Sequence, residues 1–486
     1  MLKGLLLLRK GWFVKKTDGT ISEANFETVY SDEFVQLIND HKLGSVSDYS
    51  NELFLYHYIK YLEVKELSDT EGWSGCSFLS ESVDKSIYFK CHPDKSDCSY
   101  IFGFILAFFS AFLVFLFSFF AVIFLAILLP FLLTNKGRIK TKNGNTSDEN
   151  RAIFLIRSNS GYQKVRHFLN DYDDRLVCQD EVGGLDAGEH SIYSCLCSSR
   201  FFSIAFSAIY FVFRDIYLFL REATAMMGPL FALSVFPRYW KRIPHKAVYE
   251  ACLGCVLSRS REDSIVFSGE KEDRFALMQT RCCGEYRRKL ICIPHGLEYG
   301  FRFPGGLCGD LFYCFSEFSR MRLSELYNSN KFIFSEDILN KMLGVDGNPP
   351  SPWSGSMCYF SEPRDQEVNF EIIERIVESG VGLHLRLKLH PLEDASVYKA
   401  RFPSLLILKS LDEALASEVC LSRKSTVLLE AAQRGRVSVA ILINNKDRVF
   451  ATKVFPSLAS DKITKILSSE GLDMFCISHK KAANGI

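Results

Sequence analysis

Leu383 to Asp394 reads LHLRLKLHPLED. From Leu383 to Leu389 apolar and polar residues alternate, the period-2 pattern of a strand with one buried face. The alternation stops at His390-Pro391. Proline has no backbone donor and excludes the residue before it from the helical region, so the strand ends there. The histidine then stands at the strand's carboxyl end, the rim where open α/β sheets bind ligands.

The same rhythm recurs on both sides of this strand. Met357–Ser361 reads as a strand, and Phe370–Ser379 as a helix with Ile372, Ile373, Ile376 and Val377 on one face. Leu405–Leu408, Glu418–Ser422 and Val437–Ile443 read as strands, and Val427–Gln433 as a helix. Earlier, Ala152–Arg157, Ser264–Gly269, Lys289–Pro294 and Leu311–Ser316 read as short buried strands, with helices at Glu272–Cys282 and Glu317–Tyr327. Short strands alternating with helices predict parallel α/β sheets. The Gly-, Pro- and Ser-rich stretch 344–356 reads as a linker. The expected fold is α/β, with Rossmann-type domains at 151–343 and 357–486 and a cleft between them.

The bulk composition excludes some functions. A formal net charge of +1 over 486 residues provides no field for nucleic acid. GLLLL after Met1-Leu2-Lys3 is too short for a signal sequence, so the 16 scattered Cys read as reduced thiols. Cys252 and Cys255 form a CxxC without a second pair, and the adjacent Cys282-Cys283 would strain a tetrahedral site. They read as packing thiols, and no metal or other cofactor is expected.

Ile101 to Thr134 contains no charged residue and is long enough to cross a bilayer core, as a single span or as a re-entrant hairpin broken near Pro130. Lys136, Arg138, Lys140 and Lys142 open a basic and polar linker, 135–150, and place the following residues in the cytoplasm. On a single pass residues 1–100 face outward; their fold is unclear, apart from a helix around Glu52–Lys65. Phe201–Phe213 is uncharged but too short to span, and reads as a buried core helix or an interfacial one.

Two further stretches carry chemistry. Ser425-Thr426 opens the helix at Val427–Gln433, where hydroxyls and free N–H groups suit a phosphate, with Arg423 and Lys424 adding positive charge. Ile293–Gly300 (IPHGLEYG) places His295 and Glu298 on a glycine-containing turn after a strand, as candidate general bases.

A strand ending in His-Pro, a Ser-Thr helix start and an acid-plus-Gly turn resemble bacterial sialyltransferases, including polysialyltransferases. The His-Gly turn and the Ser-rich helix start are also similar to CDP-glycerol glycerophosphotransferases. The resemblance covers about Ser264 to Ile443, in motifs of two to four residues. It implies the two-domain GT-B architecture and a CMP- or CDP-linked donor. The acceptor would be a surface polysaccharide or glycolipid, and the site the cytoplasmic face of a bacterial inner membrane, in contact with its lipid. On this reading His390 contacts the donor phosphate, Ser425 and Thr426 bind it, Glu430 reaches the ribose, and Lys388 joins the donor contacts. The base is Glu298 or His295. The second acid of the sialyltransferase motif is missing at Tyr299, and Ser268–Arg274 has paired acids but no following Gly. Competing expectations are another GT-B sugar transferase, a sugar-nucleotide epimerase, or a non-catalytic scaffold of polysaccharide assembly.

Overall fold

The computed structural model describes residues 13–15, 21–23, 47–58, 105, 108–109, 111–113, 115–117, 120, 151–180, 190–345, 352–362, 366–381, 384–391, 393–449, 451 and 454–483. The strands are β1 (Ala152–Ile156), β2 (Arg175–Gln179), β3 (His190–Ser191), β4 (Ile265–Ser268), β5 (Lys289–Cys292), β6 (Leu311–Tyr313) and β7 (Phe332–Ile333) in one sheet. A second sheet holds β8 (Trp353–Phe360), β9 (Leu385–Lys388), β10 (Leu406–Ile407), β11 (Ser417–Ser422), β12 (Val437–Ile441) and β13 (Thr464–Ile466). The principal helices are α1 (Phe201–Met227), α2 (Arg242–Leu257), α3 (Arg274–Glu285), α4 (Gln366–Ile376) and α5 (Val427–Gln433).

The sheet orders are β3-β2-β1-β4-β5-β6-β7 and β10-β9-β8-β11-β12-β13. In each sheet the chain starts at an inner strand, runs outward one way, then returns to the other side of that strand. This is the Rossmann order, and its switch point lies between β1 and β4 in one sheet and between β8 and β11 in the other. The two Rossmann-type α/β sheets expected from the sequence are present. β1 is buried along its whole length, as a parallel strand covered on both faces must be. Its Phe154 pairs in register with Phe267 of β4, and their rings stack 4.7 Å apart. In the second sheet Tyr359, Leu387, Leu421 and Val439 pack with Ile372, Ile373 and Ile376 of α4 in one apolar cluster.

Among the described residues, contacts divide the chain at 295/296, 301/302 and 313/314 into two units. Residues 296–301 and 314–343 belong to the second unit. The local reason is side-chain bonding: Ser316 Oγ lies 3.1 Å from Ser457 Oγ. β8 begins at Trp353, whose N–H donates to the Ala416 carbonyl (2.8 Å) and whose ring lies under Arg386. The sequence reading missed β2, β3 and β13, strands of two to five residues with polar or charged residues among them, and β7, which is only two residues long.

Residues 47–58 are part of the first unit's core. A helical turn at Ser50–Leu53 continues through Phe54–Tyr58, overlapping the start of the helix expected around 52–65; residues 59–65 lie outside the described residues. Tyr49, Leu53 and Phe54 have no exposed surface. Of the uncharged run 101–134, the described positions between 105 and 120 are helical, and the remainder lies outside the described residues. The helix at 201–213 continues to Met227. Ile204, Ala208 and Val212 are buried on one face while Phe202, Phe206 and Tyr210 are exposed on another, so it has both the core face and the outward apolar face that the sequence left open.

Candidate functional site

In the first unit, ionisable side chains gather at the carboxyl ends of β1, β2, β4 and β5. Arg157 follows β1, Asp180 follows β2, Glu270 and Asp273 follow β4, and His295 follows β5. This is the ligand-binding edge of an open α/β sheet. The turns approach closely: a Cβ on Gly269 would sit 2.9 Å from the Gly161 Cα, so only glycine fits. Ser158 Oγ caps the helix after β1 by accepting from Gly161 N–H at 3.0 Å, and Asp273 caps α3 by accepting from Phe275 and Ala276 N–H.

Arg157 is the centre of the cluster. Its guanidinium lies 3.1 Å from Asp180, 3.3 Å from Asp273 and 3.7 Å from Glu270, over the face of Phe275. Asp180 also accepts from Tyr193 Oη at 2.6 Å and lies 3.0 Å from His245 Nε2. Burial alone would raise the Asp180 carboxyl, but the His245 contact, the Arg157 charge and the Tyr193 hydrogen bond hold it well below the usual carboxylate range. Glu270 and Glu272 go the other way. Burial raises both, Asp273 raises Glu270 further, and the neighbouring cations, Arg157 and Arg274 at Glu270 and Lys271 at Glu272, only partly offset this. A carboxylate held ionised by His245, Arg157 and Tyr193 thus adjoins carboxyls biased toward the proton-bound form.

His295 is half-buried, and its Nδ1 lies 2.5 Å from the Gly269 carbonyl oxygen. A carbonyl oxygen only accepts, so Nδ1 carries the hydrogen. In the neutral ring Nε2 then holds the lone pair, the protonation pattern of a general base. Glu298 is placed differently. It belongs to the second unit, is 1% exposed, and accepts from Phe315 N–H and from Ser457 Oγ (2.9 Å). Both oxygens are engaged in holding the turn to neighbouring segments.

In the second unit, His390, Ser425 and Thr426 follow the carboxyl ends of β9 and β11. The His390-Pro391 turn is held from below. Glu393 N–H donates to the His390 carbonyl (2.9 Å), while its carboxylate accepts from His390 N–H (3.1 Å), Ser361 Oγ and Tyr398 Oη (2.5 Å). His390 and Lys388 are half-buried, and Lys388 Nζ lies 3.5 Å from the Leu389 carbonyl. Ser425 is half-buried and Thr426 exposed, and the Thr426 side chain makes no capping hydrogen bond to α5. Glu430 lies one turn further along α5, half-buried.

Arg423 and Lys424 depart from the expectation of phosphate-facing charge. Arg423 has no exposed surface and grips Asp447 through Nε (2.6 Å) and Nη2 (2.8 Å), with Lys424 Nζ on the same carboxylate at 2.9 Å. Lys424 N–H also donates to Glu362 at 2.6 Å. These cations anchor the turn that presents Ser425. Sequence reasoning missed Arg157, Asp180, His245, Glu393 and Asp447. Only Arg157 and Glu393 had a local signal: one is the last residue of a recognised strand, the other lies three residues beyond His390.

No protein-family model and no curated protein matches the chain. Among solved structures, the UDP-GlcNAc 2-epimerase from Neisseria meningitidis bound to UDP-GlcNAc is 9% identical, covering 68% of this chain and 91% of that one, with a TM-score of 0.41. The UDP-GlcNAc 2-epimerase from Methanocaldococcus jannaschii is 12% identical, covering 67% and 91%, with a TM-score of 0.37. CalG4, the calicheamicin glycosyltransferase, is 12% identical, covering 69% and 97%, with a TM-score of 0.30. All three TM-scores lie below 0.5, so the functional reading rests on this chain's own residues.

Proposed function

We propose that the chain is a membrane-anchored glycosyltransferase of the GT-B type, which moves sialic acid or a related unit from a cytidine-nucleotide donor to a polysaccharide or glycolipid hydroxyl. One observation carries the reading: in both sheets, histidine and hydroxyl side chains follow directly on the carboxyl ends of inner strands in Rossmann order. The second unit holds the donor. Ser425 and Thr426 hydroxyls donate to its phosphate, His390 donates to the leaving phosphate oxygen, and Lys388 and Glu430 complete the donor contacts.

The roles divide the notionally interchangeable bases. His295 Nε2, freed by the Nδ1 contact to Gly269, takes the proton of the acceptor hydroxyl as that oxygen attacks the anomeric carbon. The bond from that carbon to the phosphate oxygen breaks, and the nucleotide leaves with the electron pair. Glu298, buried and doubly engaged, positions its turn. General-base assistance of this kind contributes about 100-fold to 10,000-fold in rate.

The test is calorimetric titration of the full-length chain with CMP, CDP and UDP, beside His390→Ala. Binding of CMP or CDP that is lost in His390→Ala supports the donor site. Preference for UDP overturns the cytidine assignment, and binding of none of the three by a folded chain overturns the transferase reading.

A further inference from the structure

Residues 47–58 precede the uncharged run 101–134, and residues 151–295 follow it, yet both sit in one folded unit. The contacts between them are numerous and polar as well as apolar. Asn51 Nδ2 donates to the Glu272 and Gly306 carbonyls at 2.9 and 2.8 Å, and its Oδ1 accepts from Gly305 N–H. Glu52 pairs with Arg242 and Arg274, and Asp48 with Lys246 and Arg281. Tyr49 sets its ring edge-on to Phe219 and Tyr239. A chain that crossed a bilayer once between residues 58 and 151 would put these partners on opposite sides of it. Every one of the contacts would be lost.

The same unit carries an outward apolar face. On α1 the exposed side chains Phe202, Phe206, Tyr210, Phe213 and Tyr217 recur at helical spacing, each 43–72% exposed. At 1.5 Å per residue this stripe is about 22 Å long. The uncharged run continues it: Phe115 packs against Phe213 at 5.8 Å, while Phe109, Phe112, Phe117 and Phe120 are 52–62% exposed. Arg200 at the start of α1, and the exposed Trp240 with Lys241 next to Tyr239, which packs on Phe219 of α1, supply the cationic and amphipathic groups favoured at a headgroup boundary. An exposed apolar face of this extent on a folded unit marks an interaction surface.

We infer that this face is seated in a lipid bilayer, and that the run 101–134 enters and leaves the bilayer from the one side on which the folded unit lies. The protein is thus monotopic, with the segments before and after the run in the same compartment. Continuity with a run of 34 uncharged residues favours lipid as the occupant over a second copy of the chain. The inference rests on the membrane attachment proposed above and is independent of the donor chemistry.

The test uses the full-length chain with one epitope tag before Met1 and another after Ile486. Flotation with membranes after an alkaline wash comes first, and a chain that does not float refutes the attachment itself. In sealed right-side-out and inside-out vesicles, protease is expected to remove both tags in the same orientation. Removal in opposite orientations overturns the inference while leaving the attachment standing. For the α1 face, Phe206→Trp in vesicles of phosphatidylethanolamine and phosphatidylglycerol is expected to shift emission to the blue and to lose intensity when brominated lipid is included. Emission unaffected by bromine overturns the lipid assignment and leaves a protein partner covering the stripe.

Discussion

Asp447→Asn tests whether the donor-side turn is held by a dry ionic cluster. The substitution keeps the side chain's shape and removes its charge. Asp447 has no exposed surface and receives two bonds from Arg423 and one from Lys424. Arg423, also without exposed surface, has no route to water. Removing one partner of a buried ion pair costs about 3–5 kcal/mol, because the remaining charge stays desolvated. Glu362 lies close enough to both cations to compensate in part, which places the expected cost near the lower end, about 3 kcal/mol. At 1.4 kcal/mol per factor of ten, local opening becomes about 100-fold more frequent. Hydrogen exchange followed by mass spectrometry on peptides spanning Ser417–Gln433 reads this directly, with β1 as the internal reference. The pH dependence provides a sign. Burial would raise the Asp447 carboxyl, but Lys424 and Arg423 outweigh it and lower it. A depressed carboxyl stabilises the fold above its unfolded value, near 3.9, and that stability is lost as pH falls through the folded value. Wild-type protection at this turn is therefore expected to fall with acid, and the variant's to fall less. An exchange increase below about threefold, or identical acid profiles, would refute the idea that this cluster is dry and ionised.

Further outcomes separate structure from chemistry. His295→Gln is expected to lower the release of nucleotide from a CMP-sugar donor by about 100-fold or more with an unchanged thermal unfolding midpoint, whereas Glu298→Ala keeps most activity and destabilises the second unit by about 1–3 kcal/mol by orphaning Phe315 N–H. The reverse pattern would make Glu298 the base. A fragment beginning at residue 151 lacks Tyr49, Leu53 and Phe54, each worth about 2 kcal/mol of burial, and is expected to aggregate and bind a hydrophobic dye; a monodisperse, cooperatively unfolding fragment would contradict the packing described. Asp48 is half-buried, and its desolvation alone raises its carboxyl, but Lys246 and Arg281 bring it down to about 2 from 3.8, so it contributes about 2 kcal/mol above pH 4 that is lost as pH falls toward 2. Urea unfolding of wild type and Asp48→Asn between pH 6 and pH 3 should converge toward the acid end; a constant gap would count against the ion pairs.

Local pattern determined much of this protein. The strands at 152–157, 264–269, 289–294, 357–361 and 418–422 were readable because buried parallel strands are short apolar runs, and a run needs only its neighbours to be recognised. The His390-Pro391 stop was readable for the same reason, since proline acts on the residue beside it. The bond from Glu393 back to His390 spans only three residues and explains why the turn holds its shape. Tertiary structure alone decided the rest. Arg157 meets Asp180, Glu270 and Asp273 across as many as 116 positions, Arg423 meets Asp447 across 24, and Asn51 meets Gly306 across 255. No period or spacing in the chain encodes those partners, because each pairing depends on which strand ends the sheet order brings together. The charges that looked free beside Ser425 became a buried anchor, and a segment ahead of the uncharged run became part of the core behind it. In both cases a charge or ring placed by its sequence neighbours was claimed by a distant partner, because burial leaves a polar group no alternative to finding one.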